Sequence, residues 1–282
     1  MLLNSLRASL AGFLIFLVSS VSAGQVYWGG VSFAGWESRE SLYPSVASYL
    51  CRGGECPEAT LDTWALETVD EAQFNSFSVS MDYISGGAIE GVVMTPMITG
   101  ESFSMVKDVT GSKTSFIHVY RVFASLLFFE FGTGRFINAK PVVVQFTDTL
   151  ASPATAVQKR EAFGRLLSSE GSGPNVFREM FSRAQDASVI TFSDRYVRVA
   201  STDILPEAEA ELPGVKDIDA WRLQVARLLE SYIVDATNAP LVPTASGAEL
   251  TDEFVATFAN AATRIKLPKT VPFEFSLTLR RL

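Results

Sequence analysis

The chain has one histidine, two cysteines and no cluster of basic residues among its 282 positions. Each scarcity excludes something. Any Ser–His–Asp or Cys–His catalytic unit would have to use His118, and a zinc centre would lack ligands. The formal charge is −8, and the only adjacent basic pairs are Lys159-Arg160 and Arg280-Arg281. Such a balance excludes a basic patch for nucleic acid or anionic lipid. Long apolar runs are also missing beyond the N-terminus. Residues 122–129 are apolar but short, and Glu130 and a glycine-rich turn follow. No membrane span is expected after residue 23.

What is present starts with the first 23 residues. Arg7 is their only charge, an apolar stretch fills residues 10–18, and small residues follow up to Ala23. That order is the order of a cleavable secretory signal peptide. Val21 and Ala23 suit the −3 and −1 positions, so the mature chain is expected to begin at Gly24. The apolar run is about half the ~20 residues that a spanning helix needs, and no Cys near the cleavage point offers a lipid site. Removing 23 residues from 282 leaves 259, and the charge becomes −9 without Arg7. Hydrophobic residues make up 48% of the chain, enough for a substantial core rather than disorder.

The two cysteines lie in Cys51-Arg52-Gly53-Gly54-Glu55-Cys56. In an oxidising compartment this spacing reads as a local disulfide between Cys51 and Cys56 that pins a loop. Four intervening residues do not suit a redox pair, which favours two.

Periodicity predicts the elements. Residues 26–33 read as a strand bulged at Gly29-Gly30, 40–50 and 61–74 as helices, and 77–83, 88–98 and 102–109 as strands. Residues 116–131, apolar on both faces around 123–129, should be the central strand. A turn at Gly132-Thr133-Gly134 should lead into a partner strand over 135–147, with Pro141 at a bulge or edge. Helices are expected over 153–168 and over 176–187, the latter capped by Asn175. A strand should cover 189–202. An amphipathic helix should cover 217–237 and bury Ile218, Trp221, Val225, Leu228, Leu229 and Tyr232. Another, capped by Thr251, should bury Phe254, Phe258, Ala262 and Ile265. A final alternating strand should carry Phe273, Phe275, Leu277 and Leu279 on one face. The expected fold is α/β (α+β): a mixed, mainly antiparallel sheet with a long central hairpin and packed amphipathic helices. A β-rich region over 24–168 is followed by a helix-rich one over 175–282, within one domain or two.

Chemical motifs are few. His118 sits in a strand pattern, where a structural role is the expectation. Ser172 lies between glycines but lacks the nucleophile-elbow spacing. Ser104-Met105-Val106-Lys107 and Lys113-Thr114-Ser115 resemble motifs of penicillin-recognising serine enzymes, but they lie six residues apart in strand-like sequence instead of on a helix and a distant strand. Glu130, Asp148, Glu90 and Asp82 are candidates for a glycosidase-type carboxylate pair. Glu207, Glu209 and Glu211 read as a solvated face. Gly29-Gly30 and Gly86-Gly87 lack the rest of any nucleotide fingerprint. No metal and no cofactor are expected.

The stretch 88–147 resembles part of a module of the CsgG-like and TolB N-terminal-like envelope families. The matching residues are 26–33, 40–50, 89–98, and 123–131 with Gly132-Thr133-Gly134-Arg135: a strand and helix, a further strand, then a long hairpin crossing a Thr-Gly turn. The resemblance implies an assembly, secretion or activator factor rather than a catalyst. The chain lacks the lipid-anchoring Cys that many members carry.

The expectation is an exported protein, periplasmic or extracellular. It would be non-catalytic and bind another envelope protein through its sheet or through Gly132, Thr133, Gly134 and Arg135. The alternatives are a carboxylate-dependent envelope hydrolase and a subunit of a secretion or outer-membrane complex.

Overall fold

The computed structural model describes residues 24–50, 60–81, 91–110, 113–187, 196–212, 217–244, 253–258, 261–266 and 273–280. The expected signal peptide, the Cys51–Cys56 pair, Asp82, Gly86-Gly87, Glu90 and the Thr251 cap lie outside these residues.

Three long strands form the centre: β4 (Val92–Thr110), β5 (Lys113–Glu130) and β6 (Arg135–Leu150). Nineteen residues of strand span about 60 Å. β5 pairs antiparallel with β4 from Glu130 to Lys113, and with β6 from Glu130 to Phe116. The two strands expected over 88–98 and 102–109 are therefore one strand. It absorbs the break by a bulge between Ile98 and Gly100. On the other side of β4 lie β1 (Gly24–Trp28), parallel to it, and β3 (Phe77–Ser80), parallel to β1. β2 (Ser32–Phe33) also runs parallel to β4, after a turn in which Gly30 takes φ +77°. The fold is α/β (α+β) with a mixed, mainly antiparallel sheet, ordered β3-β1-β4-β5-β6 and then β9 (Ala261–Lys266) and β8 (Glu253–Phe258).

Helices cover one face. Pro44 splits the helix expected over 40–50 into α1 (Arg39–Leu42) and α2 (Pro44–Ala47), because proline fits only the first turn. α3 (Leu61–Glu71) starts at Thr60, whose side chain accepts from Thr63 N–H. α4 (Ala156–Leu167) opens with a capping box between Thr155 and Gln158, and α5 (Val176–Ala184) with the expected Asn175 cap. Trp64, Val69, Phe163, Leu166, Phe177, Met180 and Phe181 pack on Tyr120, Val122, Leu126 and Phe128 of β5. This core runs on both sides of the 168–174 loop. Val157 of α4 is exposed. The opposite face of β5 presents Leu127 and Phe129 to a second cluster with Phe136, Tyr196, Val242 and Ile265. Eight consecutive residues of β5, 122–129, are buried.

The C-terminal part holds β7 (Val197–Ile204), α6 (Pro206–Glu209), α7 (Ile218–Thr237), β8 (Glu253–Phe258), β9 (Ala261–Lys266) and β10 (Phe273–Leu279). The helix expected from Thr251 is instead the β8–β9 hairpin. Its β-branched and aromatic residues (Phe254, Val255, Thr257, Thr263, Ile265) suit strands, and Lys266 N–H donates to Gly134 O at the edge of β6. α7 matches its expected span but not its expected face. The buried residues are Ala226, Arg227, Glu230, Ser231, Ile233 and Val234, whereas Tyr232 is 68% exposed. α7 packs on β6 and β7. There its polar side chains find partners, and these outweigh the apolar stripe. β10 is the expected strand, parallel to β7 in a separate two-stranded sheet.

Candidate functional site

His118 is fully buried in β5, and both ring nitrogens are engaged. Ala154 N–H donates to Nε2 at 3.1 Å, and Nδ1 lies 3.0 Å from Asp148 Oδ1. A nitrogen that accepts cannot carry the proton, so the ring is the Nδ1–H tautomer donating to Asp148. The pair arises from register: Asp148 lies directly opposite His118 across β5 and β6. Phe103 stacks on the ring at 5.8 Å. Neither nitrogen is left to activate a nucleophile, so His118 ties the 150s loop to the sheet.

The same register separates the carboxylate candidates. Glu130 pairs with Arg135 at the far end of the hairpin from Asp148, twelve residues along β5, or about 40 Å. No two-carboxylate mechanism spans that distance. Glu130 accepts from Thr133 Oγ1 at 2.6 Å instead. Ser104, Lys107, Lys113 and Thr114 are exposed on the tip of the β4–β5 hairpin, on strands rather than at a helix start. Ser172 is exposed in a loop.

The turn at Gly132–Arg135 is partly occupied by the chain itself. Gly134 takes φ +67°, and a Cβ there would meet Arg264 O at 2.3 Å. Only glycine fits so close an approach in that conformation. Gly134 is buried, while Gly132, Thr133 and Arg135 are exposed. Thr133 Oγ1 also accepts from Arg135 N–H.

The structure brings forward charges held by internal contacts, from exposed Asp62 to buried Arg227 and Glu230. Asp62 accepts from Val31 N–H at 3.0 Å, and burial pushes its carboxyl up. Glu101 accepts from Ser45 and Val46 N–H, and burial pushes it up as well, partly offset by those bonds. Glu230, fully enclosed, accepts from Thr244 N–H, and desolvation pushes it up to about 7. Arg227, one turn earlier on α7, lies over Phe123 and against Gly100, where a Cβ would sit 2.1 Å from Nη1. Burial pulls its guanidinium and the Lys140 amine down. Lys140 Nζ donates to Asn238 Oδ1 at 2.8 Å. Arg183 binds Glu179, Pro141 O, Ser231 and Asp235, fastening α5 to α7 across β6. The one sequence signal was Arg227 and Glu230 interrupting an apolar-rich helix. Apart from Arg227 Nε, which is buried without a hydrogen-bond partner, these groups are held by internal partners and read as struts.

Among the described residues, two open surfaces bear on a candidate site. The first is the outer edge of β4. β1 and β2 pair with it only as far as Ile98, and from Ser102 to Thr110 no described strand lies against it. Met105, Val106 and Val109 are 43%, 59% and 60% exposed there. The second is a cleft of about 490 Å³ lined by Tyr49, Trp64, Phe146, Glu161, Arg165 and Glu170, among others.

No model of a known protein family matches the chain, and no curated protein matches it. Among the described residues no helix is long and apolar enough to cross a membrane, and no group of acidic, His or Cys side chains could hold a metal ion.

Proposed function

We propose that this is an exported, non-catalytic protein of the cell envelope that acts by binding or assembling another envelope component, with the outer edge of β4 as its docking strand. The observation that carries the reading is that edge, against which no described strand pairs from Ser102 to Thr110, flanked by exposed Met105, Val106 and Val109. Unpaired backbone donors and acceptors recruit an added strand, and alternate side chains select it. The fitting partner is an extended segment with apolar side chains at alternate positions, facing Met105 and Val109. Lys107 and Lys113, which flank the tip, disfavour indiscriminate edge pairing. The export reading rests on residues 1–23, and the likeness to CsgG-like and TolB N-terminal-like modules points the same way.

Cross-linking in intact cells, followed by purification of this chain, tests the reading. The expected product is an adduct with one envelope protein, on a chain that begins at Gly24. Recovery of only cytosolic proteins on a chain that keeps residues 1–23 would overturn it.

The aromatic cleft supports a second reading. Glu161 and Glu170 both line it, and a carboxylate-dependent hydrolase of envelope glycans would use such a pair. Both side chains are exposed, without the apolar enclosure of a general acid. Turnover of a wall glycan by the purified protein, abolished by Glu170→Gln, would favour this reading over the first.

A further inference from the structure

β10 has one strand neighbour. β7 pairs with it along its whole length, and no described residue pairs with its other edge. None of its seven residues is buried, and Phe273 and Phe275 are 61% and 38% exposed. A long apolar edge strand on a two-stranded sheet is unstable in water unless something covers it.

The backbone of β10 says which residues would bond to an added strand. Phe273 N–H donates to Tyr196 O at 2.7 Å, and Leu279 O accepts from Leu205 N–H at 3.0 Å. The odd-numbered residues therefore turn their amides toward β7. Glu274, Ser276, Thr278 and Arg280 turn theirs to the open edge.

The sequence of this edge is complementary to itself when read antiparallel. With Leu277 on a two-fold axis, Leu277 meets Leu277 of a second copy and Ser276 meets Thr278. Phe275 then meets Leu279, and Glu274 meets Arg280. Opposed residues share a face, so apolar faces apolar, hydroxyl faces hydroxyl and acid faces base. The outward-bonding residues meet each other, as an antiparallel ladder requires. A slip of one residue sets outward-bonding residues against inward-bonding ones. A slip of two leaves Glu274 and Arg280 without each other. Arg198 bonds to Glu274 only through Oε1, which leaves Oε2 for Arg280 of the second copy.

We propose that two copies of this chain associate through β10, antiparallel about Leu277, to form a continuous four-stranded sheet β7-β10-β10-β7. The contact is isologous, the commonest kind in homodimers. It depends neither on export nor on the edge of β4.

The register gives the test. In the proposed dimer the two Leu277 residues form a non-hydrogen-bonded pair with Cα atoms about 4.5 Å apart, within disulfide reach. The two Ser276 residues are offset along the strands, beyond about 7 Å. Purified Leu277→Cys protein should form a disulfide-linked dimer on mild oxidation. The Ser276→Cys protein should not exceed the unmodified chain. In sedimentation, Arg280→Glu, a change at an exposed position, should weaken the dimer about ten- to a hundredfold, and Arg280→Lys should largely preserve it. Sedimentation as a monomer at all accessible concentrations would overturn the proposal. Equal cross-linking at 276 and 277, or indifference to Arg280→Glu, would do the same.

Discussion

β5 and β10 are both strands rich in apolar side chains, yet residues 122–129 of β5 are all buried and no residue of β10 is. The difference lies in their neighbours. β5 has a strand on each side, helices α3 to α5 on one face and the second cluster on the other. β10 has β7 alone. Backbone pairing makes a strand, whereas layers on both faces make a core. The sheet passes from one condition to the other along its own length: β4 is buried from Val93 to Gly100 and exposed from Ser104 to Thr110. In β4 the end of the strand, not its middle, is exposed.

The sharpest way to break the comparison is to cut one phenylalanine from each strand. Phe128→Ala in β5 should cost about 3–5 kcal/mol. Phe273→Ala in β10 should change the stability of the dilute monomer by less than about 0.5 kcal/mol. Urea unfolding of both variants checks this, and equal losses would dissolve the distinction.

The next effect concerns pH. The Glu230 carboxyl moves from its ordinary 4.5 to about 7 on folding. Between those values the folded chain keeps a proton that the unfolded chain has lost. The contribution of Glu230 to stability is therefore fully present below 4.5 and falls as pH rises to 7, by ~3 kcal/mol. Asp62 and Glu101, also pushed up by burial, act in the same direction. Glu230→Gln keeps an acceptor for Thr244 N–H and should remove most of this slope from urea midpoints taken across the window. An unchanged slope would show that Glu230 is not enclosed as described.

A smaller effect belongs to His118. His118→Leu should destabilise by about 1–3 kcal/mol, because Ala154 N–H and Asp148 lose their partner. His118→Gln should recover part of that loss. Binding at the β4 tip should survive both variants once folded, as measured by cross-linking yield. Loss of binding in a stable His118→Gln protein would give the imidazole a role beyond the loop it holds.

Much of the architecture is legible in the sequence where local and tertiary preferences agree. The apolar run at 123–129, the Gly-Thr-Gly turn and the Asn175 cap are local signals of this kind. Legibility fails where distant contacts decide. Residues 254–265 have helical spacing but become a hairpin because the edge of β6 receives Lys266. α7 turns Arg227 and Glu230 inward because Phe123, Gly100 and Thr244 offer them surroundings there. His118 and Asp148 are both conspicuous as residue types, but only the β5–β6 register makes them a pair. The candidate turn at Gly132–Arg135 was visible, and its partial cover by Arg264 was not.

The exposed end of the sheet is proposed as the place where this protein meets its partner. A photo-activated cross-linker placed at Val106 in intact cells tests it against the same group at Val157, which is 66% exposed on α4. A discrete adduct with an envelope protein is expected from Val106 and none from Val157. Equal labelling at both positions, or no adduct at Val106, would contradict it.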